Sequence, residues 1–233
     1  GLLRAERRRH CPGRICAMPE MKEYILALDQ STSGTKAILI DRAGAVACRS
    51  DLAHRQIVTP EGWAEHDPME IWANVLTVSR LVMERCGVEP GQIRAIAIAN
   101  QRETAVCWRR STGLPLYNAV TWQCARAEEL TWALSTRETE ARVRAVTGLR
   151  LSPYFSAAKF SWLLKNVGDV ARAASEEDLC FGTVDAWLIY RLTRGVSFRT
   201  DVSNASRTQL LDLDSLDWSP EMLGLFGIER RML

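Results

Sequence analysis

The chain has 233 residues, 47% of them hydrophobic, with a formal net charge of +2. That is enough for one large domain or two small ones around an apolar core, and no apolar run approaches the length of a membrane span. Residues 1–17 hold five arginines against Glu6 alone, leaving 25 basic and 27 acidic residues in the body, so charge gives no reason to expect nucleic acid as a partner.

Seven cysteines is an odd number. Cys48, Cys86, Cys107, Cys124 and Cys180 stand singly, which suits a reducing, cytoplasmic compartment better than a disulfide framework. Cys11 and Cys16 have only His10 nearby, too few ligands for a metal site. Residues 1–20 lack hydrophobic periodicity. They read as a basic leader ahead of a start at Met18 or Met21, expected to be disordered, with the domain running over 21–233.

Residues 24–28 form an apolar strand that ends in Asp29-Gln30-Ser31-Thr32-Ser33-Gly34-Thr35-Lys36. A return strand over 37–40, a turn at 41–44 and a third strand over 45–52 follow. A small hydroxyl-rich loop between two strands is either a donor cradle for phosphate or a plain polar hairpin; the Walker pattern is absent. Gly62-Trp63-Ala64-Glu65-His66-Asp67 then leads into a helix. Asp67 is its N-cap, Pro68 its first residue and Gly87 its stop, with Ile71, Val75, Val78 and Val82 on one face. His66 beside two carboxylates reads either as a base or as a hydrogen-bonded loop histidine.

Ile93, Ile96 and Ile98 lie in a run without Pro or Gly, suited to a strand buried on both faces. Residues 104–108 are a second β-prone run. Between them stand Asn100, Gln101, Arg102 and Glu103, with no turn-type glycine. In open α/β sheets ligands bind at the carboxyl ends of strands. Arg102 and Glu103 are thus either a grip on two vicinal hydroxyls, one donating and one accepting, or a surface ion pair capping a hairpin.

Beyond a turn at 111–115, the pattern predicts a strand over 119–122 and helices over 126–134 and 137–146, the latter stopped by Gly148. Another helix runs over 156–167 with Ser156 as cap, and a further one over 170–175. A strand at 179–183 precedes a helix over 186–192 capped by Asp185. Residues 200–207, with Asp201, read as a polar loop, before a strand over 209–213 and a helix over 220–226. This order is α/β with a mixed sheet. Residues 227–233 carry no cap or tail, so the chain reads as cut.

Together these motifs resemble the FGGY carbohydrate kinases from Tyr24 to the last residue. Leu28-Asp29-Gln30-Ser31-Thr32 with Gly34 is similar to the family's first phosphate loop, and Gly62-Trp63-Ala64-Glu65-His66-Asp67-Pro68 to its Gly-Trp-x-Glu-His-Asp-Pro. Asn100-Gln101-Arg102-Glu103-Thr104 and Tyr117-Asn118-Ala119-Val120-Thr121-Trp122-Gln123-Cys124 resemble the glycerol-phosphorylating members. Tyr154-Phe155-Ser156-Ala157-Ala158-Lys159-Phe160-Ser161-Trp162 is similar to the family signature, and residues 200–208 complete the set.

The resemblance implies a ribonuclease H-like domain of the actin and hexokinase type, a mixed β-sheet flanked by helices. It would be the N-terminal, substrate-binding half of an enzyme that uses ATP and Mg²⁺ to phosphorylate glycerol, homo-oligomeric at full length. Arg102 and Glu103 would hold hydroxyls, Tyr154 would add a hydrogen bond, and Trp122 would lie against the polyol carbons. Asp29, Gln30, Ser31, Thr32, Ser33 and Lys36 would serve ATP and its phosphates, Thr32 near the γ-phosphate and Asp29 reaching the metal only through Mg-ATP. The family's catalytic base, an Asp in a later Gly-Asp-Gln segment, is not among these residues. No catalytic residue is assigned, and the chain alone is expected to be inactive.

Taken singly, Asp29 reads as a turn residue, Trp122 as packing and Tyr154 as a helix start. Lys36 stands where the glycerol-phosphorylating members usually have Arg, and Ser31 where Gly is usual, closer to the pentulose version of the loop. That keeps a pentulose or a four-carbon polyol as rival substrates. A non-catalytic binding module is the second rival.

Overall fold

The computed structural model describes residues 22–233; the expected leader and the Cys11 and Cys16 pair lie outside the described residues. Strands β1 (Tyr24–Gln30), β2 (Gly34–Asp41) and β3 (Val46–Ala53) form an antiparallel meander. Short strands β4 (Ile57–Val58) and β5 (Ala64–His66) lead into helix α1 (Pro68–Cys86). The start of α1 is built as the sequence requires: Asp67 Oδ1 accepts from the Met69 N–H at 2.8 Å. Gly87 ends it at φ 61°, a left-handed turn that glycine adopts without steric penalty.

Strand β6 (Ile93–Asn100) returns parallel to β1, giving the mixed order β3-β2-β1-β6. Helix α1 lays Ile71, Val75, Val78 and Val82 over Leu26, Leu28, Ala37 and Leu39, all buried. Each fully buried aliphatic side chain of this size contributes about 1.5–3 kcal/mol.

The rest of the chain forms β7 (Val106–Arg109), β8 (Ala119–Val120), α2 (Glu128–Leu134), α3 (Arg137–Thr147), α4 (Ser156–Asn166), α5 (Gly168–Ser175), β9 (Leu179–Gly182), α6 (Val184–Leu192), α7 (Val202–Ala205), β10 (Leu211–Asp212), β11 (Asp217–Trp218) and α8 (Pro220–Phe226). A second core centres on Phe160 stacked on Phe181 at 4.6 Å, with Val143, Leu163, Leu210 and Phe226 around them, while Trp108, Trp187 and Leu188 join the core of α1 and the sheet.

The α/β class and the mixed sheet are as expected. Several local expectations are not. Strand β6 is not buried on both faces: Ile96 is 46% exposed, and Ile93 and Ile98 are only half-buried. It pairs with β1 alone among the described residues, and an apolar run cannot say whether a second neighbour exists. Strands β6 and β7 form no hairpin, since β7 pairs with β9. The loop between β1 and β2 is shorter than expected, because the pairs Asp29 with Lys36 and Gln30 with Thr35 continue the β1–β2 ladder.

Two cap assignments also change, and one cap is new. Ser156 is the first residue of α4 rather than its cap, and its Oγ donates to the Glu103 carbonyl at 3.3 Å. Asp185 lies inside the first turn of α6, where it accepts from Thr183 at 2.5 Å and Thr200 at 2.7 Å. Asp201, expected in a loop, caps the short α7 through the Asn204 N–H at 2.8 Å. The expectation of free cysteines fails at one pair: Cys48 on β3 and Cys86 at the end of α1 form a disulfide, while Cys107, Cys124 and Cys180 are free and buried. A separation of 38 residues hides in sequence a proximity that the packing of α1 on β3 creates.

Candidate functional site

The loop between β1 and β2 reduces to Ser31, Thr32 and Ser33. It is closed by the Ser31 N–H and hydroxyl, which donate to the Gly34 carbonyl at 2.9 and 3.0 Å. Gly34 is required there, because a Cβ would stand 2.5 Å from the Leu52 carbonyl oxygen of β3. At the mouth of the loop Lys36 Nζ donates to Asp29 Oδ2 at 2.8 Å, both side chains part-exposed.

Three of the expected site residues come together directly. The Trp122 indole N–H donates to Thr32 Oγ1 at 2.9 Å. This leaves the Thr32 hydroxyl its own proton to donate elsewhere. The Trp122 ring meets Tyr154 at 5.7 Å, and Tyr154 meets Phe155 edge-on at 5.2 Å. Hairpin loop and aromatic wall are thus one continuous surface.

Arg102 and Glu103 do not pair with each other. Glu103 is buried, and its Oε1 accepts from Arg207 Nε at 2.7 Å; the Arg207 guanidinium lies 4.9 Å over the Phe155 ring. Arg102 is exposed and donates to Ser203 Oγ at 3.4 Å. Both residues lie in a turn, and each is taken up by a different partner from the segment around α7, so adjacency in sequence did not make a pair. The partner of the carboxylate lies 104 residues away. Sequence reasoning missed Arg207, whose only signal was its place in the motif over 200–208.

Two buried cations position the aromatic wall, and sequence reasoning missed both. Lys159, fully buried, donates to the carbonyls of Pro153 at 2.8 Å, Phe155 at 3.2 Å and Tyr154. Burial pulls its pKa down to about 7, against the attraction of Cys124 and Glu103. Three carbonyls around one nitrogen suit an ammonium, which has three protons to give. Arg126 donates to Glu65 Oε1 at 2.5 Å and to Cys124 Sγ at 3.1 Å, and its guanidinium lies 4.6 and 4.8 Å from the Trp63 and Trp162 rings. Three motifs, at 62–68, 117–124 and 154–162, therefore meet on a packed cation.

His66 is buried and hydrogen-bonded, Nε2 to Gln56 Oε1 at 2.8 Å and Nδ1 to Gln101 Nε2 at 3.1 Å. Burial, and next the neighbouring His54, lower its pKa to about 4, with Glu70 opposing. The hydrogen-bonded reading holds, although His66 sits at the end of β5 rather than in a loop. A cavity of about 190 Å³ lined by Phe160, Phe181, Phe198, Thr200 and Trp218 includes none of the expected site residues.

By shape, the domain is that of the sugar kinases. It superposes on the glycerol kinase of Plasmodium falciparum with ADP at a TM-score of 0.82 and 36% identity, covering 88% of this chain and 41% of that one. A gluconate kinase from Lactobacillus acidophilus matches at 0.79 and 25% identity, with 91% and 41% covered. In sequence the chain is 47% identical over 210 residues to glycerol kinase 1 of Thermotoga maritima, covering 90% of this chain and 43% of that protein. It is 45% identical over 211 residues to the glycerol kinase of Citrifermentans bemidjiense, with 91% and 43% covered. The chain therefore spans less than half the length of these relatives. Residues 24–233 match the FGGY family of carbohydrate kinases, N-terminal domain, and the chain belongs to that family.

Proposed function

We propose that this chain is the acceptor-binding half of an ATP-dependent polyol kinase, with glycerol as its first substrate. The observation that carries the reading is Trp122, whose N–H holds Thr32 while its ring meets Tyr154. One side chain thus joins a loop suited to phosphate with a wall suited to a small polyol. In this reading Arg102 donates to one hydroxyl and Glu103 accepts from the next, with Arg207 holding the carboxylate in orientation. The Tyr154 phenol adds a hydrogen bond, and the indole keeps water from the polyol carbons.

The part-exposed Asp29 and Lys36 pair fits the magnesium–phosphate end: an ammonium suits a phosphate oxygen, and a carboxylate suits a strongly hydrated cation. Gln30, Ser31 and Ser33 would shape the loop around Thr32. Mg-ATP would supply the phosphoryl group and neutralise its charge. No base for the acceptor hydroxyl is assigned, so the chain alone is proposed to give no turnover. A cytoplasmic setting and a homo-oligomeric whole enzyme belong to the same proposal.

Calorimetry tests the reading. Glycerol should bind the chain, and Glu103→Ala should weaken it about 10- to 100-fold, the loss expected for a charge-assisted hydrogen bond. No glycerol binding, or no effect of that substitution, would sink it. ADP release by the 233-residue chain with glycerol and Mg-ATP would overturn the inactivity proposal. Lys36, in the place where the glycerol-phosphorylating members usually have Arg, keeps one second reading, a pentulose or four-carbon polyol. Tighter binding of xylulose or erythritol than of glycerol would establish it.

A further inference from the structure

Behind the phosphate loop, four side chains close a hydrogen-bonded ring. Gln56 Nε2 donates to the Thr32 carbonyl at 2.6 Å, and Gln56 Oε1 faces His66 Nε2 at 2.8 Å. His66 Nδ1 faces Gln101 Nε2 at 3.1 Å, which also donates to Gln30 Oε1 at 2.9 Å. Gln30 Nε2 donates to the Ser31 carbonyl at 2.9 Å, and the Gln30 carbonyl accepts from the Gln101 N–H at 3.0 Å. Thr104 Oγ1 completes the set by donating to Gln101 Oε1 at 2.8 Å.

The proton arrangement is determined from both ends. Backbone carbonyls only accept, so Thr32 and Ser31 orient the Gln56 and Gln30 amides. Gln56 then presents its oxygen to His66, which must carry its proton on Nε2. Gln101 presents its N–H, which requires a bare Nδ1. His66 is thereby a neutral donor toward one loop and an acceptor toward the other. A second proton on Nδ1 would set N–H against N–H and break the ring.

We propose that His66 is a positioning residue that holds the Thr32 loop in register with the Arg102 and Glu103 loop. It touches neither ligand. The phosphate loop is fastened through Gln56, and the segment before Arg102 through Gln101. The inference takes its meaning for catalysis from the kinase reading, but the coupling of the two loops is a property of the chain without any ligand.

Hydrogen–deuterium exchange on the 233-residue chain tests it. Gln56 is exposed, so Gln56→Ala should leave the melting temperature unchanged. It should speed exchange over residues 29–36 about fivefold, the effect of one net hydrogen bond, and leave 100–104 alone. His66→Phe should speed both segments. His66→Gln, whose amide reaches the Nε2 position, should restore 29–36 only; His66→Asn, whose amide reaches Nδ1, should restore 100–104 only. A histidine that merely filled space would show no such split. Unchanged exchange over 29–36 in Gln56→Ala, or rescue of both segments alike by both amides, overturns the proposal. Glycerol calorimetry on the unsubstituted chain separates the two claims, because absent binding removes the kinase reading without altering these exchange rates.

Discussion

At the scale of single residues, the chemistry rests on side chains whose partners come from far along the chain. Glu103 is held by Arg207 and Thr32 by Trp122, and Tyr154 is placed by the carbonyls that Lys159 gathers. His66 adds a pH dependence. In the unfolded chain it would titrate near its ordinary 6.5, and in the folded state burial lowers it to about 4. Between those values the unfolded state binds more protons, so stability is full above about pH 6.5 and falls as pH drops toward 4. The whole interval is worth on the order of 3 kcal/mol. Lowering of the His54 pKa by burial acts in the same direction. Urea melts at pH 7, 5.5 and 4.5 should show the decline, and His66→Gln should flatten it.

At the scale of elements, sequence motifs turn out to be structural junctions. Trp63, Glu65, Tyr117 and Trp162 surround Arg126, whose side chain is fully inaccessible, and Asn118 Nδ2 donates to Glu65 Oε2 at 2.7 Å. This cluster ties β5, the segment around β8 and α4 into one unit, and so fixes where Trp122 and Tyr154 stand. Arg126→Met would leave Glu65 buried without its cation. Removing one partner of a buried pair costs about 3–5 kcal/mol. Denaturant unfolding should register that loss, and polyol affinity should fall with it. An unchanged midpoint would mean that aromatic packing alone holds the junction.

At the scale of the whole molecule, two cores divide the chain. One lies over the mixed sheet and α1 and extends to α6, the other lies around Phe160 and Phe181, and the paired strands β7 and β9 serve both: Val106, Trp108 and Cys180 enter the first, Cys107, Leu179 and Phe181 the second. The candidate site residues stand in the connections that follow β1, β8 and α7 and precede α4, at Thr32, Trp122, Arg207 and Tyr154. The Cys48 and Cys86 disulfide closes the sheet-and-α1 unit. For a loop of this length a disulfide contributes about 2–4 kcal/mol. Cys48→Ser, or reductant, should lower the unfolding free energy by that amount. No change would mean that the two thiols are free in solution, as the scattered cysteines suggested.

The α/β order, the Asp67-Pro68 start and Gly87 stop of α1, and the identity of Asp29, Thr32, Arg102, Glu103, Trp122 and Tyr154 as site candidates were all legible in the sequence. They are written in local signals: hydrophobic period, cap chemistry and recurring motifs. The pairing of Glu103 with Arg207, the ring through His66, the cations Lys159 and Arg126, the disulfide and the exposure of Ile96 on β6 were decided only by the tertiary structure. A side chain's partner depends on which segments packing brings alongside it, and no local pattern records that.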